Sequence, residues 1–330
     1  MKKIVILHSD ISPDASQDEL DCLQQAESIA DAVSALHYEP ILLPFELNLN
    51  NTITMLKSIK PQVIFNLVET LDSKGSLIYF APAILDALQI PYTGCGTQAV
   101  FQTSNKPLAK KIMRNAGIST PDWLDQEGFG FLTDTADLYL IESSWEHASI
   151  GLDENSFVNY TDNETVLTEI SRRKEKLGGS CYAEAYIDGR EFNVALISNK
   201  DNVEILPIAE MLFRDYAPGK PKIVDYKAKW IVDSFEYNNT IRNFDFQEND
   251  SVLISSLRDI SLQCWNIFSL SGYARVDFRV DKNGRPWVLE VNTNPCLSPD
   301  AGFAAALEQA KIKYHEAIGL IINNALKSRV

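Results

Sequence analysis

The 330-residue sequence predicts an α/β domain followed by two α+β lobes that close on a ligand between them. Three observations lead there. Through the first hundred residues strand-like and helix-like stretches alternate, the pattern of a parallel sheet covered by helices. From Asn105 the alternation gives way to a helix, a Gly117-to-Pro121 break and mixed strands. Near the C terminus two runs, Tyr273 to Asp281 and Pro286 to Asn292, flank Lys282-Asn283-Gly284-Arg285, whose Asn-Gly pair is the strongest short-range hairpin signal.

Lys3 to Leu7 reads as an apolar strand, followed by a helix from Gln17 to Leu36. The acidic first turn of that helix, Asp18, Glu19 and Asp21, suits the positive end of the helix dipole. Pro40 to Leu43 and Val63 to Asn66 are the next strands, and ligands of such a sheet gather at strand carboxyl ends. Then come a helix from Asn105 to Ala116, a strand from Tyr139 to Glu142, a helix from Asn163 to Leu177, and a Gly178-Gly179-Ser180 joint. Asp188-Gly189 is expected to turn Cys181 to Ile187 back onto Arg190 to Ile197, pairing Ala185 with Phe192 and Ala183 with Val194. Tyr182, Glu184, Tyr186, Glu191 and Asn193 share the other face. That acidic, aromatic surface suits ribose hydroxyls and an adenine edge, and suits plain solvent exposure equally well. An amphipathic helix near Ala304 to Ala325 ends the pattern. The expected units are 1–102, 103–180 and 181–330.

The C-terminal hairpin carries the chemistry. A turn centred on Asn283 and Gly284 sets Asp277 opposite Glu290, Arg275 opposite Asn292, Val276 opposite Val291 and Phe278 opposite Leu289. One face is then apolar and the other is Arg, Asp, Glu and Asn. Opposed side chains lie roughly 4.5 to 5.5 Å apart at Cβ, where like charges destabilise unless something compensates. Mg²⁺ would compensate, since it takes oxygen ligands and combines one or two carboxylates with substrate phosphates. A solvent-facing strand pair neutralised by Arg275 and Arg279 is the other reading.

Composition narrows the setting. At 45% hydrophobic the chain can bury several domain-sized cores, yet no run approaches the roughly 18 apolar residues that span a bilayer. The apolar run after Lys3 is too short for a secretory leader. Five scattered cysteines without a CxxC read as reduced thiols, and four dispersed histidines argue against zinc. A net charge of −15 argues against nucleic acid and anionic membrane as partners. The expectation is a cytoplasmic protein, with a homodimer left open.

Several short motifs point further: Ile90-Pro91-Tyr92-Thr93-Gly94, Ser104-Asn105-Lys106, Glu184-Ala185-Tyr186-Ile187-Asp188-Gly189-Arg190-Glu191-Phe192, Asp225-Tyr226-Lys227-Ala228-Lys229, Arg275-Val276-Asp277-Phe278 and Leu289-Glu290-Val291-Asn292-Thr293. On these the chain resembles, nearly end to end, an ATP-grasp enzyme of the D-alanine:D-alanine ligase type. The resemblance implies an ATP-grasp fold behind an N-terminal parallel-sheet domain. It also implies a ligase that forms an acyl phosphate from ATP and a small carboxylate, then an amide with an amine, the substrates being amino-acid or peptide-like. Carried over by position, Glu184, Ala185 and the backbone of Ile187 would meet adenine and Glu191 the ribose. Lys106, Lys229 and Ser149 would contact the nucleotide's phosphates, and His147 would share the catalytic cationic work with Lys106 and Lys229. Asp277, Glu290 and Asn292 would ligate two Mg²⁺, for which Mn²⁺ can substitute, and Arg275 would stabilise the transferring phosphoryl group.

The departures are equally informative. Glu142 stands where the ligases carry a phosphate-binding lysine, and a carboxylate about 4 Å from a phosphate charge costs on the order of 4 kcal/mol at an effective dielectric of 20. Ala148 replaces a serine and Trp230 a tyrosine. Cys296 replaces a glycine within a rebuilt Thr293-to-Gly302 segment. D-Ala-D-Ala is therefore not the expected product. The alternative reading is an ATP-binding protein with weak or lost turnover that acts as a sensor or partner-binding module, and an ATP-grasp kinase is a third.

Overall fold

The computed structural model describes residues 1–12, 14–132, 136–146, 149–177, 179–199 and 202–328. Strands β1 (Lys3–Ser9), β2 (Glu39–Phe45) and β3 (Val63–Leu67) form a parallel sheet in the order β2-β1-β3. Both of its faces are covered, as parallel sheets require. Ile4, Ile6, Val63 and Phe65 pack against α1 (Gln17–Ala35) and the C-terminal α11 (Tyr314–Ser328), while Val5, Leu7, Ile64 and Leu43 face α2 (Leu49–Ile59) and α3 (Phe80–Leu88). The connection continues through α4 (Thr97–Ser104) to α5 (Lys106–Asn115), where Asn105 caps α5 by accepting from Leu108 N at 3.0 Å.

Five antiparallel strands follow: β4 (Trp123–Asp125), β5 (Gly130–Phe131), β6 (Leu138–Ser143), β7 (Phe157–Asn159) and β8 (Cys181–Ala185), in the order β5-β4-β8-β6-β7. Their inner face packs on α6 (Asn163–Arg173) through Val166 and Ile170. Six more strands form the second antiparallel sheet: β9 (Gly189–Asn199), β10 (Asn202–Ile205), β11 (Ala209–Phe213), β12 (Thr240–Asn243), β13 (Tyr273–Asp281) and β14 (Pro286–Asn292). The order is β12-β11-β9-β13-β14, with β10 on β9. The short helices α7 (Tyr226–Trp230) and α8 (Phe235–Asn239) rim it, α9 (Ser251–Ile267) covers its apolar face, and α10 (Gly302–Gln309) leads into α11.

Several expectations need correction. The hairpin through Asp188-Gly189 does not form. Tyr139 and Trp123, not Phe192, flank β8, at Ala185 and Glu184 respectively, and β9 lies in the other sheet. Residues 186–188 are instead the crossing between the two sheets, held because Arg279 donates to the carbonyls of Ile187 at 2.9 Å and Gly189 at 3.1 Å. Gly189 is required there: its φ is +153° and a Cβ would collide with the Val280 carbonyl. The expected final helix is two, broken where Lys311 takes a left-handed φ of 60°. The helix from Asn163 stops at Arg173, and α2, α3 and α4 were not anticipated.

The β13–β14 hairpin forms with a different turn. Asp281 N donates to Arg285 O and Gly284 N to Asp281 O, leaving a three-residue loop with Gly284 at φ +78°. Phe278 therefore opposes Val288 rather than Leu289. A bulge after Asp277 then restores the expected pairing, with Asp277 opposite Glu290 and Arg275 opposite Asn292. The bulge has a structural cause. Lys110 Nζ and Thr120 Oγ1 take the carbonyls of Leu289 and Val288 at 3.1 and 2.8 Å, pulling β14 toward α5.

Candidate nucleotide and ligation site

A cavity of about 570 Å³ is lined by residues of both antiparallel sheets, and residues of α1 and the loop after β3 close one end. Into it project Arg275, Asp277, Glu290 and Asn292 of the hairpin, Glu191 and Asn193 of β9, and Glu142, Glu184 and Ala185 from the five-stranded sheet. Lys106, Ser149, Ile187 and Lys229 line it too, so the described residues expected at the site come together. His147 and Ala148 lie outside the described residues.

Arg275 grips Asp277 with both arms, Nε and Nη2 each 2.7 Å from a carboxylate oxygen, and Nη2 lies 3.6 Å from Glu290 Oε1. Asn193 Nδ2 donates to Asp277 at 2.8 Å. Burial raises the Asp277 carboxyl above its usual value, against the opposing pull of the Arg275 guanidinium. Among the described residues no three His, Cys, Asp or Glu side chains gather into a metal cage. Two carboxylates and an amide, from Asp277, Glu290 and Asn292, fit the sparse oxygen set from which Mg²⁺ completes its shell with phosphate and water.

Toward the five-stranded sheet, Glu184 is buried and ion-paired to Lys110, whose ammonium is fully buried. Lys110 was missed from sequence, although it stands one helical turn from Lys106 on the same face of α5. Arg279, expected only as a neutraliser of the hairpin acids, has a larger part. Besides holding the crossing, its Nη1 lies 3.2 Å from Glu191 Oε2 and 2.7 Å from Lys222 O. The Ile187 carbonyl is thus engaged by protein. Ser149 sits at φ 60° and donates to Val224 O at 2.8 Å.

Glu142 points into the cavity. Its Oε2 accepts from Lys106 Nζ at 2.6 Å, and the Tyr182 hydroxyl donates to the other oxygen. The contact follows from the backbone, because Lys106 N donates to Ser144 O at 3.0 Å and so pins the start of α5 beside the end of β6. Burial lowers the Lys106 ammonium, but Glu142, Glu290 and Glu184 more than offset it and the net shift is upward. Lys229 shifts the other way, lowered by burial and by Arg275.

At the far end stand Asp18, Asp21 and Glu69. Asp21 accepts from Ser298 Oγ at 3.0 Å and Cys296 Sγ at 3.1 Å, and Asp18 from the Tyr226 hydroxyl at 2.9 Å. Burial drives the Cys296 thiol well above its usual value, which makes it a packed donor rather than a nucleophile. Glu69 is pushed up to about 8 by burial, with the like charges of Asp21 and Asp18 adding. Since this lies above the ordinary 4.5, the stability Glu69 contributes is whole below about pH 4.5 and lost as the pH climbs through about 8. Melting temperature is therefore expected to fall between pH 5 and 8, with a slope of up to about 1.4 kcal/mol per pH unit from this group. Glu69→Gln should flatten the profile; parallel profiles for the two proteins would refute the assignment.

A family model described as the D-Ala D-Ala ligase C-terminus matches residues 140–323, more than half of the chain. The chain belongs to that family. A D-alanine–D-alanine ligase of Aquifex aeolicus is 26% identical over 91% of this chain and 94% of its own length. That of Nitrosomonas eutropha is 30% identical over 71% of each chain. An uncharacterised Sinorhizobium fredii protein, y4sG, is 27% identical over 91% of this chain and 87% of its own. Among solved structures, the D-alanine–D-alanine ligase of Bacillus anthracis complexed with ATP superposes with a TM-score of 0.75 at 20% identity, covering 99% of this chain and 98% of the other. The architecture is thus the ATP-grasp fold of the D-Ala–D-Ala ligase family, with a mixed set of parallel and antiparallel sheets. The family match begins inside β6 and runs into α11, so it takes in the hairpin, the crossing and the α7 lysines. No helix among the described residues is long and apolar enough to cross a membrane, and the five cysteines are free thiols.

Proposed function

We propose that the chain is a cytoplasmic, ADP-forming ligase that uses ATP and Mg²⁺ to join a small carboxylate to an amine. Its units are 1–102, 103–180 as a lid lobe, and 181–330 carrying the metal and nucleotide site. The observation that supports this most strongly is the Arg275, Asp277, Glu290 and Asn292 constellation on one hairpin face, lining the cavity. Asp277, Glu290 and Asn292 would hold Mg²⁺, which when bound neutralises phosphate charge. Glu184, Ala185 and Ile187 frame the adenine, Glu191 the ribose, and Lys106, Lys229 and Ser149 the phosphates.

The chain's own part in the reaction is positioning and charge. A substrate carboxylate oxygen bonds to the γ-phosphorus as the bond to the β–γ bridging oxygen breaks, and ADP leaves. Arg275 then has a developing oxyanion to stabilise with a planar, permanently charged fork. A neutral amine forms the C–N bond as the C–O bond to phosphate breaks; of the two protons the ammonium loses, one ends on phosphate and one in solvent. No protein nucleophile is needed. Phosphate release with product mass, measured across amino acids and dipeptides with Mg²⁺ATP, tests the reading; ATP-dependent phosphorylation without amide would replace it with a kinase. The Lys106–Glu142 pair favours a second reading, in which ATP binds and turnover is weak or lost. Absence of phosphate release with every pair, alongside measurable ATP binding, would select it.

Glu191 supplies a further check. It is 7% exposed and paired with Arg279, not the exposed residue that a polar strand face suggested. Glu191→Gln is expected to weaken ATP binding about tenfold, or roughly 1.4 kcal/mol, and to cost about 1 to 3 kcal/mol of stability because Arg279 loses its carboxylate. Unchanged ATP affinity in calorimetry would remove Glu191 from the ribose site.

A further inference from the structure

We infer that Arg279 is a positioning residue for sugar recognition: it fixes Glu191 against the crossing between the two antiparallel sheets, so that selectivity for an intact ribose depends on Arg279 as much as on Glu191. This rests on the nucleotide reading of the cavity and names what sets its sugar selectivity. Arg279 follows Arg275 and Asp277 on the same face of β13 and is 2% exposed. The register of β13 on β9 sets it directly opposite Glu191. A guanidinium carries five N–H donors, and here each finds an acceptor. Nε donates to Ile187 O at 2.9 Å, Nη1 to Lys222 O at 2.7 Å and Glu191 Oε2 at 3.2 Å, and Nη2 to Gly189 O at 3.1 Å and the Tyr186 hydroxyl at 3.5 Å. The Tyr186 hydroxyl in turn accepts from Lys222 N at 2.9 Å. One side chain thus joins the crossing, β9 and the loop before α7. Tyr186, Ile187 and Glu191 line the cavity, as do Ile223 and Val224 beside Lys222.

Glu191 is the one side chain among these acceptors that is an anion, and a sugar hydroxyl donates best to an ionised acceptor. Arg279 holds Oε2, while Oε1 accepts no hydrogen bond among the described residues and is left for a ligand. Fixing that oxygen is what turns affinity into selectivity. A nucleotide lacking the hydroxyl leaves a buried acceptor unsatisfied, and the penalty is felt in full only where the acceptor cannot turn away. Glutamate loses much rotamer freedom when held, and the planar fork supplies the hold while its other donors anchor to backbone. A lysine at this position would bring the charge without the anchorage.

The test measures calorimetric dissociation constants of ADP, 2′-deoxyADP and 3′-deoxyADP with Mg²⁺ on the whole chain. In the wild type the weaker-binding deoxynucleotide is expected to fall at least about tenfold behind ADP. Arg279→Met should shrink that ratio at least about fivefold, and should leave it unaltered when added to Glu191→Gln, because Arg279 acts through that carboxylate. Arg279→Lys should shrink it at least about threefold, and is the variant to read if the methionine variant proves unfolded in thermal melts. Equal weakening of all three nucleotides at an unaltered ratio in a folded variant, or a further change of ratio in the Glu191→Gln background, overturns the inference: Arg279 would then hold the fold alone. A wild type that binds all three equally, or none, overturns the ribose assignment of Glu191 and this inference together. The ligase reading stands or falls separately, on phosphate release.

Discussion

Arg275→Ala is expected to abolish measurable phosphate release, a loss of at least about 10²–10³ if the side chain stabilises the transferring group. It should also cost about 3 to 5 kcal/mol of stability, because Asp277 would keep its buried charge without the bidentate partner. The two effects separate in a double variant. Arg275→Ala with Asp277→Asn should regain part of the stability and none of the turnover. Arg275→Lys keeps the charge but loses the fork, and should recover folding better than rate. Urea denaturation with steady-state phosphate release reads all three. A single alanine variant that turns over within tenfold of wild type would remove Arg275 from the chemistry.

The second large effect is expected at Glu142. Sequence and electrostatics alone suggest that Glu142→Lys should help ATP, by restoring a cation beside the phosphates. The 2.6 Å contact with Lys106 alters that expectation, since a lysine would set two ammonium groups against each other before nucleotide arrives. Glu142→Gln is the more informative change. It frees Lys106 for phosphate and is expected to tighten ATP binding about tenfold, or roughly 1.4 kcal/mol, with a steeper salt dependence because the gained contact is screened. Dissociation constants for both proteins at two salt concentrations provide the readout. If ATP binds more weakly to Glu142→Gln, the carboxylate aligns Lys106 rather than competing for it.

Much of the site was legible because paired strands translate residue order into spatial order. Asp277 facing Glu290 could be read from the chain, yet for a partly wrong reason: the loop has three residues and the bulge at Leu289 compensates. Neither displacement has a local sequence signal, because the bulge is drawn by Lys110 and Thr120 from a distant helix and loop. The Asp188-Gly189 pair illustrates the opposite outcome. The dipeptide favours a hairpin, whereas Arg279, about ninety residues further on, donates to the carbonyls of Ile187 and Gly189 and makes a crossing of it. Lys110 and the Lys106–Glu142 pair escaped for the same cause, since α5 meets β6 and β14 only through tertiary packing.

The mixed core beneath the first sheet bears on how the chain comes off the ribosome. Ile4, Ile6 and Phe65 share that core with Ile318 and Ile321 of α11. At about 5 to 20 residues per second, the roughly 300 residues between them take on the order of 15 to 60 s to synthesise. For that interval α1 covers this face of the sheet without α11, and part of an apolar surface stays wet and adhesive. The sheet thus gains its last cover only once α11 has been made, and until then the uncovered face invites wrong contacts.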